Sequence, residues 1–401
     1  MRETPYFIQL EEALDICKKT EITTGFERVP LDECHNRILA LDLESKVDDP
    51  PFDNSAMDGY AMRYEDTLHV PSKLKVIGTI QAAGQEDKIV VGKGEAVRIM
   101  TGAPMPKGAD SILQIELTSQ EGDEVVLQQP SMKHFIRKKG ENLQKDEVAL
   151  EAGSLLNPSR IGLCATMGHS TVPVVKRLKV AIISTGDELK QPGVELERGQ
   201  IYESNSFGIS GLVNWLGHTP VRMHSVGDTI DDLREALNQA STECDLILTS
   251  GGVSMGEWDL VRKIMEEEGD IHFWRVKLRP GSPPLFGKWN NTPIFGLPGN
   301  PVSSHVVFRM LVAPWIRHNT LTSEPAEIMI TAKLSTKVKS SKDCLTLRRV
   351  SVERKEGSFF ASQNIHQGSG NIASMALSEG LVILKPGFDY SIGDSVDVML
   401  L

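Results

Sequence analysis

From Lys179 to Arg317 the chain alternates apolar runs of strand length with segments of helical periodicity, and no other feature restricts the fold as strongly. Strands and helices that alternate in this way are joined by crossovers, which give a parallel sheet covered by helices on both faces. The predicted strands are Lys179–Ser184, Thr219–Val226, Leu246–Thr249, Ile271–Val276 and Pro293–Gly296. The predicted helices are Ser206–Leu216, Ile230–Ala240, Asp259–Glu268 and Pro301–Arg317. We therefore expect a parallel α/β domain over residues 178–326.

The remaining segments have different periodicities, which predicts a multidomain α/β plus β protein. Residues 1–46 and 148–177 read as a helical linker region, with predicted helices at Leu10–Cys17, Arg37–Ala40 and Pro158–Met167. Between them, residues 47–147 hold short β runs separated by Gly and Pro, so this stretch reads as an inserted β-rich domain. Its clearest predicted strands are Leu74–Ile80, Glu95–Met100, Ser111–Gln114 and Glu124–Gln128. Residues 327–401 return to β alternation, as in a small C-terminal barrel or sandwich.

Composition excludes several classes of function. The formal net charge of −11 argues against nucleic acid as a partner, because such proteins usually carry the opposite sign. No apolar run has the length of a membrane span, and the N-terminus lacks the pattern of a signal peptide, so we expect a cytoplasmic protein. The five cysteines form no Cys-x-x-Cys pair, which argues against a zinc ribbon or a redox motif.

In open α/β sheets, ligands bind outside the carboxyl ends of the strands, and three predicted loops lie there. The first loop contains Ser184, Thr185, Gly186, Asp187, Glu188 and Leu189. Gly186 permits a tight turn, and two carboxylates follow it at the mouth of the expected site. A capped turn with solvated acids explains this fragment equally well.

The second loop, Thr249–Asp259, resembles a phosphate loop. It includes Ser250, Gly251, Gly252, Val253 and Ser254. Two glycines let backbone amides approach a phosphate, although the loop has neither a Walker lysine nor the Gly-x-Gly-x-x-Gly spacing. A Gly-rich loop without function is the alternative.

The third loop contains Leu297, Pro298, Gly299, Asn300 and Pro301. Asn300 suits an N-cap and Pro301 the first helical residue, so the free amides of a helix N-terminus would face the site. An ordinary helix start explains this loop alone, but three such ends on one sheet edge favour a binding site for an anionic small molecule.

Several acids fall at the same edge, and they are the candidate ligands for a metal ion. These residues are Asp187, Glu188, Asp228, Glu257 and Asp259. Because carboxylate oxygens suit magnesium, Mg²⁺ is the expected ion if the acids bind one. The alternative is that these acids stay apart at the surface.

Two segments outside the α/β domain are also unusual. Pro50–Tyr60 combines a Pro-Pro entry with two acids, small residues and a Gly, and Arg98–Pro104 places Thr101 and Gly102 after a strand. Together with Ser184–Leu189, Ser250–Ser254 and Gly296–Ser303, these segments resemble in order and spacing the molybdopterin molybdenumtransferase family. This family comprises the MoeA-like proteins and includes the E domain of gephyrin. The resemblance covers nearly the whole chain.

The resemblance implies an elongated homodimer that inserts molybdate into adenylylated molybdopterin and releases AMP, with magnesium. It also implies an active site shared between the α/β domain of one subunit and the inserted domain of the other, to which Asp58 and Thr101 would reach. Glu188, Asp228 and Asp259 would handle the metal and proton transfer, and Pro298 and Pro301 would shape the substrate loop. The positions that match molybdate ligands are Arg279, Ser303, Arg349 and Ser369. The molybdopterin adenylyltransferase and molybdoenzymes are possible partners.

The chain departs from the family pattern at a few positions. Asn142 replaces a typical Asp, Arg275 and Arg279 replace common lysines, and Ser282 replaces the second lysine of a Lys-Pro-Gly-Lys-Pro motif. An arginine keeps the charge but changes its geometry, whereas Ser282 loses a cation. These changes leave a catalytically weak binding scaffold as the alternative function. A third hypothesis, adenylylation of molybdopterin, is disfavoured because that reaction does not need the inserted and C-terminal domains.

Overall fold

A computed structural model describes residues 4–83, 88–223, 227, 229–253, 259–364 and 366–401. Within these residues, no helix combines the length and the apolar character that crossing a membrane requires. The described α-helices are Leu10–Lys18, Pro158–Thr166, Asn205–Trp215, Ile230–Glu243, Leu260–Glu267, Pro301–Val307, Ala313–Asn319 and Ile372–Ala376. Phe308–Val312 forms a π-helical turn that joins Pro301–Val307 to Ala313–Asn319.

A seven-stranded sheet forms the centre of the α/β region. Its strands, in spatial order, are Tyr6–Ile8, Asp270–Val276, Leu285–Trp289, Thr292–Leu297, Leu246–Ser250, Lys179–Ser184 and Thr219–Arg222. Side chains alternate between the two faces of a strand, so Val180 and Ile182 pack in one core while Ala181 and Ile183 pack in another. Helices cover both cores, which confirms the predicted α/β architecture.

Two strands of this sheet differ from the sequence prediction. Leu285–Trp289 was not predicted, and it runs antiparallel to both of its neighbours. Tyr6–Ile8, which the sequence analysis assigned to the helical linker region, instead pairs in parallel with Asp270–Val276 at the edge of the sheet. The helix that follows, Leu10–Lys18, buries Leu10, Ala13 and Cys17 in the same core as the sheet. The apolar stripe thus fixes where this helix packs, and it draws the preceding strand onto the sheet.

Residues 26–55 and 136–175 are joined by short antiparallel pairs. These pairs are Phe26–Pro30 with Thr171–Val175, Leu43–Glu44 with Val148–Leu150, and Asn54–Ser55 with Ile136–Arg137. The predicted short helix at Arg37–Ala40 is wrong, because Ile38 and Leu39 form isolated β bridges to Leu155 and Val174. Leu39 is fully buried, so packing against the neighbouring strand outweighs the weak helical pattern of four residues.

The inserted region contains a six-stranded sheet and the C-terminal region a closed barrel. The strands of the sheet are Ser111–Gln114, Gly59–Met62, Glu95–Ile99, Ser72–Ile80, Glu124–Leu127 and Thr118–Glu121. The barrel strands are Leu345–Lys355, Ser358–Ser362, Met329–Leu334, Ser395–Leu400 and Gly380–Leu384. Leu345–Lys355 also pairs with Gly380–Leu384, which closes the barrel. Leu278–Arg279, from the α/β region, pairs in parallel with Leu345–Lys355. Two further short pairs are Leu189–Lys190 with Ile201–Tyr202 and Val338–Lys339 with Asp389–Tyr390.

Candidate active site

The three predicted loops meet in one cleft of about 380 Å³. Their strands are neighbours in the sheet, and Ser184, Ser250 and Leu297 lie in register across its carboxyl edge. The predicted binding residues that line the cleft are Ser184, Thr185, Gly186, Glu188, Ser250, Gly251, Gly252, Gly299, Asn300 and Pro301. The structure therefore brings together most of the residues that the sequence analysis selected in this domain.

Gly251 and Gly252 determine the shape of the second loop. Their φ angles are 103° and 66°, a region of backbone conformation that other residues rarely adopt. A Cβ atom at Gly252 would also lie 3.0 Å from Cγ2 of Val261. The two glycines thus let the backbone turn tightly against the following helix, and the turn forms one wall of the cleft.

A buried polar network that the sequence analysis missed supports the cleft. Glu203 is 2% exposed, and its carboxylate accepts hydrogen bonds from the Ser184 hydroxyl at 3.0 Å and from the Ser206 backbone N–H at 2.7 Å. Asn205 donates from Nδ2 to Ser250 Oγ at 2.6 Å and to the Gly299 carbonyl at 2.7 Å. The network joins all three loops. Its sequence signal is the polar run 203–206 at the start of a helix, which reads as an ordinary helix cap.

Several predicted binding residues do not line the cleft. Val253 is 1% exposed in the core, and its carbonyl accepts a hydrogen bond from Nε1 of Trp274 at 3.0 Å. The Pro298 carbonyl accepts a hydrogen bond from the Ser304 hydroxyl, which fixes the loop rather than exposing it to a ligand. Asp187 is exposed and its carboxylate faces Gly227. Ser254 and Asp228 lie outside the described residues.

The expected metal ligands are Glu188, Asp228 and Asp259. Glu188 lines the cleft, and its carboxylate packs over Gly186. Asp259 occupies the N-cap position of helix Leu260–Glu267. Among the described residues, no three His, Cys, Asp or Glu side chains are grouped closely enough to hold a metal ion. Among the described residues that line the cleft, Glu188 is the exposed carboxylate and Glu203 is a buried one. This set suits an ion that arrives with substrate phosphates, because Mg²⁺ is often held by one or two carboxylates together with them.

Asp58 and Thr101 contact each other in the inserted region, and neither lines the cleft of the same chain. Asp58 Oδ1 accepts hydrogen bonds from the Thr101 backbone N–H at 2.7 Å and from the Thr101 hydroxyl at 2.9 Å. The backbone hydrogen bond is the main reason why the pKa of Asp58 lies below its usual value. Both side chains are exposed, so the pair presents an ionised carboxylate at the surface.

A second cavity of about 480 Å³ lies between the α/β region and the C-terminal barrel. It contains three of the four residues that were matched to molybdate ligands, namely Arg279, Ser303 and Ser369. The other polar residues in its lining are Arg275, Ser282, Ser341, Asp343, Arg348 and Gln367. We call this space the arginine cavity. Arg348 and Gln367 were not singled out by the sequence analysis, because the strand order that brings them here is not readable from spacing.

The fourth predicted ligand, Arg349, does not line the arginine cavity. Its side chain is 1% exposed and donates from Nη2 to the carbonyls of His366 and Gly368, each at 3.1 Å. Gln367 completes the contact by accepting from the Arg349 backbone N–H at 3.0 Å. Arg349 therefore positions the loop that carries Ser369, and a direct contact between Arg349 and an anion stays a prediction.

One helical turn separates the cleft from the arginine cavity. Asn300 and Pro301 line the cleft, whereas Ser303 lines the arginine cavity from the same start of helix Pro301–Val307. Asn300 also donates from Nδ2 to Ser369 Oγ at 3.0 Å, which connects the cleft to the loop of the barrel. Ligands in the two spaces would therefore share a wall.

The fold and the two spaces define a class: a multidomain α/β protein with a polar cleft at a sheet edge and an arginine-lined cavity beside it, both with donors that suit anions. Family models match along most of the chain. Residues 8–168 match the MoeA N-terminal region (domain I and II), residues 181–318 match a probable molybdopterin binding domain, and residues 331–401 match the MoeA C-terminal region (domain IV).

Similar proteins agree with these models. A molybdopterin molybdenumtransferase of Haemophilus influenzae is 40% identical over 73% of this chain and 72% of its own length. The corresponding protein of a Nostoc species is 34% identical over 100% of this chain and 93% of its own. A crystal structure of a molybdopterin biosynthesis MoeA protein from Pyrococcus horikoshii, 33% identical, covers 98% of this chain and 99% of that chain with a TM-score of 0.82. The chain belongs to the molybdopterin molybdenumtransferase family, whose members are transferases of molybdenum cofactor biosynthesis.

Proposed function

We propose that this protein inserts molybdate into adenylylated molybdopterin, which gives molybdenum cofactor and AMP. The observation that carries the proposal is the shared wall between two anion-binding spaces. The cleft offers loop amides and hydroxyls to a pyrophosphate, and the arginine cavity offers guanidinium groups and hydroxyls to a tetrahedral dianion. Because Asn300 and Ser303 lie on one helical turn, the two substrates would meet at the start of that helix.

In the cleft, the residues of this chain would mainly bind and orient the substrate. The tight turn at Gly251 and Gly252 would shape the wall that receives the phosphates, and Asn205 holds the loops of Ser250 and Gly299 together. Glu188 is the carboxylate that we assign to proton transfer and to metal binding. The expected metal is Mg²⁺, which would neutralise charge on the pyrophosphate when bound.

The remaining parts of the proposal concern assembly and location. We propose a homodimer in which Asp58 and Thr101 of one subunit complete the cleft of the other. The pair presents an ionised carboxylate at the surface, and neither residue lines the cleft of its own chain. The same proposal includes domain boundaries after residues 46, 147, 177 and 326. It also includes a cytoplasmic location and contacts with the molybdopterin adenylyltransferase and molybdoenzymes.

The activity is tested by mixing purified protein with adenylylated molybdopterin, molybdate and Mg²⁺ and measuring AMP by chromatography. The unaltered chain should release AMP, and Glu188→Ala should reduce the rate by about 100-fold, as expected for loss of a proton-transfer group. Glu195→Ala is the matched control, because Glu195 is exposed a few residues further along the chain and lines neither space. Equal rates for all three proteins, or no AMP from any, would contradict the proposal.

Shared sites are tested by co-expressing two strongly impaired variants. Asp58→Ala and Glu188→Ala, each with little activity alone, should together regain up to about a quarter of the activity, because half of randomly paired dimers keep one intact site. No recovery, in mixed dimers isolated through a different affinity tag on each variant, would place the two residues in the same subunit's site.

A further inference from the structure

A third cavity, of about 450 Å³, lies where residues 151–160 meet the segment 317–324 that leads from the α/β region toward the barrel. We call it the junction cavity. Its described lining residues differ from those of the cleft and of the arginine cavity. We infer that the junction cavity binds a small anion with phosphate or carboxylate oxygens and that Arg317 is its main binding residue. The inference goes beyond the proposed function, which assigns no substrate to this space.

Positive charge exceeds negative charge in one wall of the junction cavity. Glu327 pairs with two arginines, with Arg309 from Nη1 to Oε2 at 2.5 Å and with Arg317 from Nη2 to Oε1 at 3.7 Å. All three side chains are only 12% exposed. One carboxylate neutralises one guanidinium, so one positive charge lacks a counter-charge in a place that water barely reaches. Such burial is costly, and an anion in the cavity would offset the cost.

The guanidinium of Arg317 retains hydrogen-bond donors. Within the described part of the chain, its Nε and Nη2 are buried without a hydrogen-bond partner. The group lies 5.3 Å from the ring centre of Trp215, and the guanidinium of Arg309 lies 5.0 Å from the same ring. Burial is the main cause that lowers the pKa of Arg317, and Arg309 adds to it, whereas Glu327 opposes it. A guanidinium that is short of acceptors suits an oxyanion, which accepts two parallel N–H groups.

The other charged groups of the lining do not supply the missing negative charge. Glu324 already pairs with Arg160, whose Nη1 lies 2.8 Å from its Oε2. Glu151 is exposed, so water and salt screen its charge. The lining also contains Ser154 and Ser323, whose hydroxyls can donate to the oxygens of a bound anion.

An anion at this place would connect two parts of the chain. The Thr322 hydroxyl donates to the Gly153 carbonyl at 2.7 Å, which already links the two walls of the cavity. Because Ser154 and Arg317 come from opposite walls, an anion bound to both would add a second link. Backbone amides in both walls should then open less often, and their hydrogen exchange should slow.

The test is amide hydrogen exchange of the full chain, measured by mass spectrometry in peptides that cover residues 151–155 and 317–324. Inorganic phosphate and malonate are the two probes. Each should slow exchange in both peptides of the unaltered chain. Reading these two peptides separates the junction cavity from the arginine cavity, which the same anions can also occupy.

Arg317→Gln should raise the anion concentration that gives half of the protection by about ten- to a hundredfold, which is the usual effect of losing hydrogen bonds to a charged group. Arg354→Gln is the matched control, since Arg354 is exposed and lines none of the three spaces. It should respond to both anions as the unaltered chain does.

Ser323→Glu separates binding from a structural role of Arg317. The new carboxylate would lie in the lining and take the place of the anion. It should slow exchange in both peptides without any added anion and abolish the response to phosphate. Ser323→Gln has a similar size without the charge, and it should behave as the unaltered chain does. Thermal unfolding of Arg317→Gln without added anion should change little if the side chain serves binding.

The outcomes decide the inference independently of AMP release, so the proposed function is tested separately. Protection by phosphate alone or by malonate alone supports the site and assigns it to that chemistry. The inference is overturned if neither anion slows exchange in the unaltered chain, or if Arg317→Gln responds at the same anion concentrations. It is also overturned if Arg317→Gln unfolds at a much lower temperature and Ser323→Glu still responds to phosphate.

Discussion

The cleft and the arginine cavity lie side by side but are built in opposite ways. The cleft is formed within one sheet, from loops whose backbone amides, hydroxyls and a buried Glu203–Asn205 network supply the polar groups. The arginine cavity is formed between the α/β region and the barrel, from segments centred on Arg279 and Arg348 that are far apart in the sequence. The cleft thus depends on backbone conformation, and the arginine cavity depends on side-chain charge.

This difference teaches which changes each space tolerates. Fixed backbone dipoles bind an anion only while the loop keeps its shape, so substitutions that strain a loop should damage the cleft. An arginine side chain is long and always charged, so it can still reach a ligand after a small change in backbone position. Substitutions that remove its charge should therefore damage the arginine cavity most. The following predictions test that division, in order of decreasing effect.

Replacing Gly252 with alanine should have the largest effect, and it should be confined to the cleft. The φ angle of 66° and the Val261 side chain 3.0 Å from the new Cβ oppose the substitution. We expect a loss of about 1–3 kcal/mol in the free energy of unfolding and much weaker binding of adenylylated molybdopterin. Molybdate binding, measured by calorimetry, should change little.

Gly211→Ala is the control for this variant. Gly211 lies in helix Asn205–Trp215, and a Cβ there meets no atom within 4 Å, so alanine should stabilise the chain by about 0.5–1 kcal/mol. If Gly252→Ala is as well tolerated as Gly211→Ala, loop conformation does not govern the cleft.

Asn205→Ala should have a smaller effect that spreads across the shared wall. Its amide holds Ser250 and Gly299, and Gly299 precedes Asn300, which contacts Ser369. Loss of two hydrogen bonds should cost about 1–2 kcal/mol in binding at the cleft and less in molybdate binding. Asn214→Ala is the control, because Asn214 is exposed on the same helix, and it should match the unaltered chain in both titrations. If Asn205→Ala weakened only the binding of molybdate, Asn205 would support the arginine cavity and not the cleft.

Acid should destabilise the helix that forms the shared wall, through protonation of His305. This residue lies on helix Pro301–Val307 and packs against Gly208, and burial, followed by Arg309, lowers its pKa to about 4. Between pH 6.5 and 4 the unfolded chain binds a proton that the folded chain does not, so stability is complete above that range and falls as the pH decreases through it.

His305→Gln should therefore reduce the stability lost between pH 7 and pH 5 by about 2 kcal/mol, as measured by urea unfolding at both pH values. The conservative control is His318→Gln, because His318 is more exposed on the next helix of the same segment. An unchanged pH dependence in His305→Gln would show that protonation at this position does not affect the shared helix.

Much of the cleft could be predicted because its determinants are local. Glycines at Gly251 and Gly252, hydroxyls at Ser184 and Ser250, and the Asn300–Pro301 helix start are all visible in short segments, and strand alternation places them at one edge. The roles of Asp58 and Thr101 came from family resemblance, and the structure adds their mutual hydrogen bonds. The supporting residues Glu203 and Asn205 were missed because a polar run at the start of a helix has the same pattern as a cap.

The sequence by itself determined the succession of β-rich and α/β regions, because periodicity reports which face of each segment is apolar. It also determined the three strand-end loops, whose residue types permit only tight turns and helix starts. Only the tertiary structure decided that Tyr6–Ile8 completes the edge of the sheet, that Leu285–Trp289 runs antiparallel, and that Arg348 rather than Arg349 faces the arginine cavity. These outcomes depend on pairing between distant strands and on register, where a shift of one residue reverses the face that a side chain occupies.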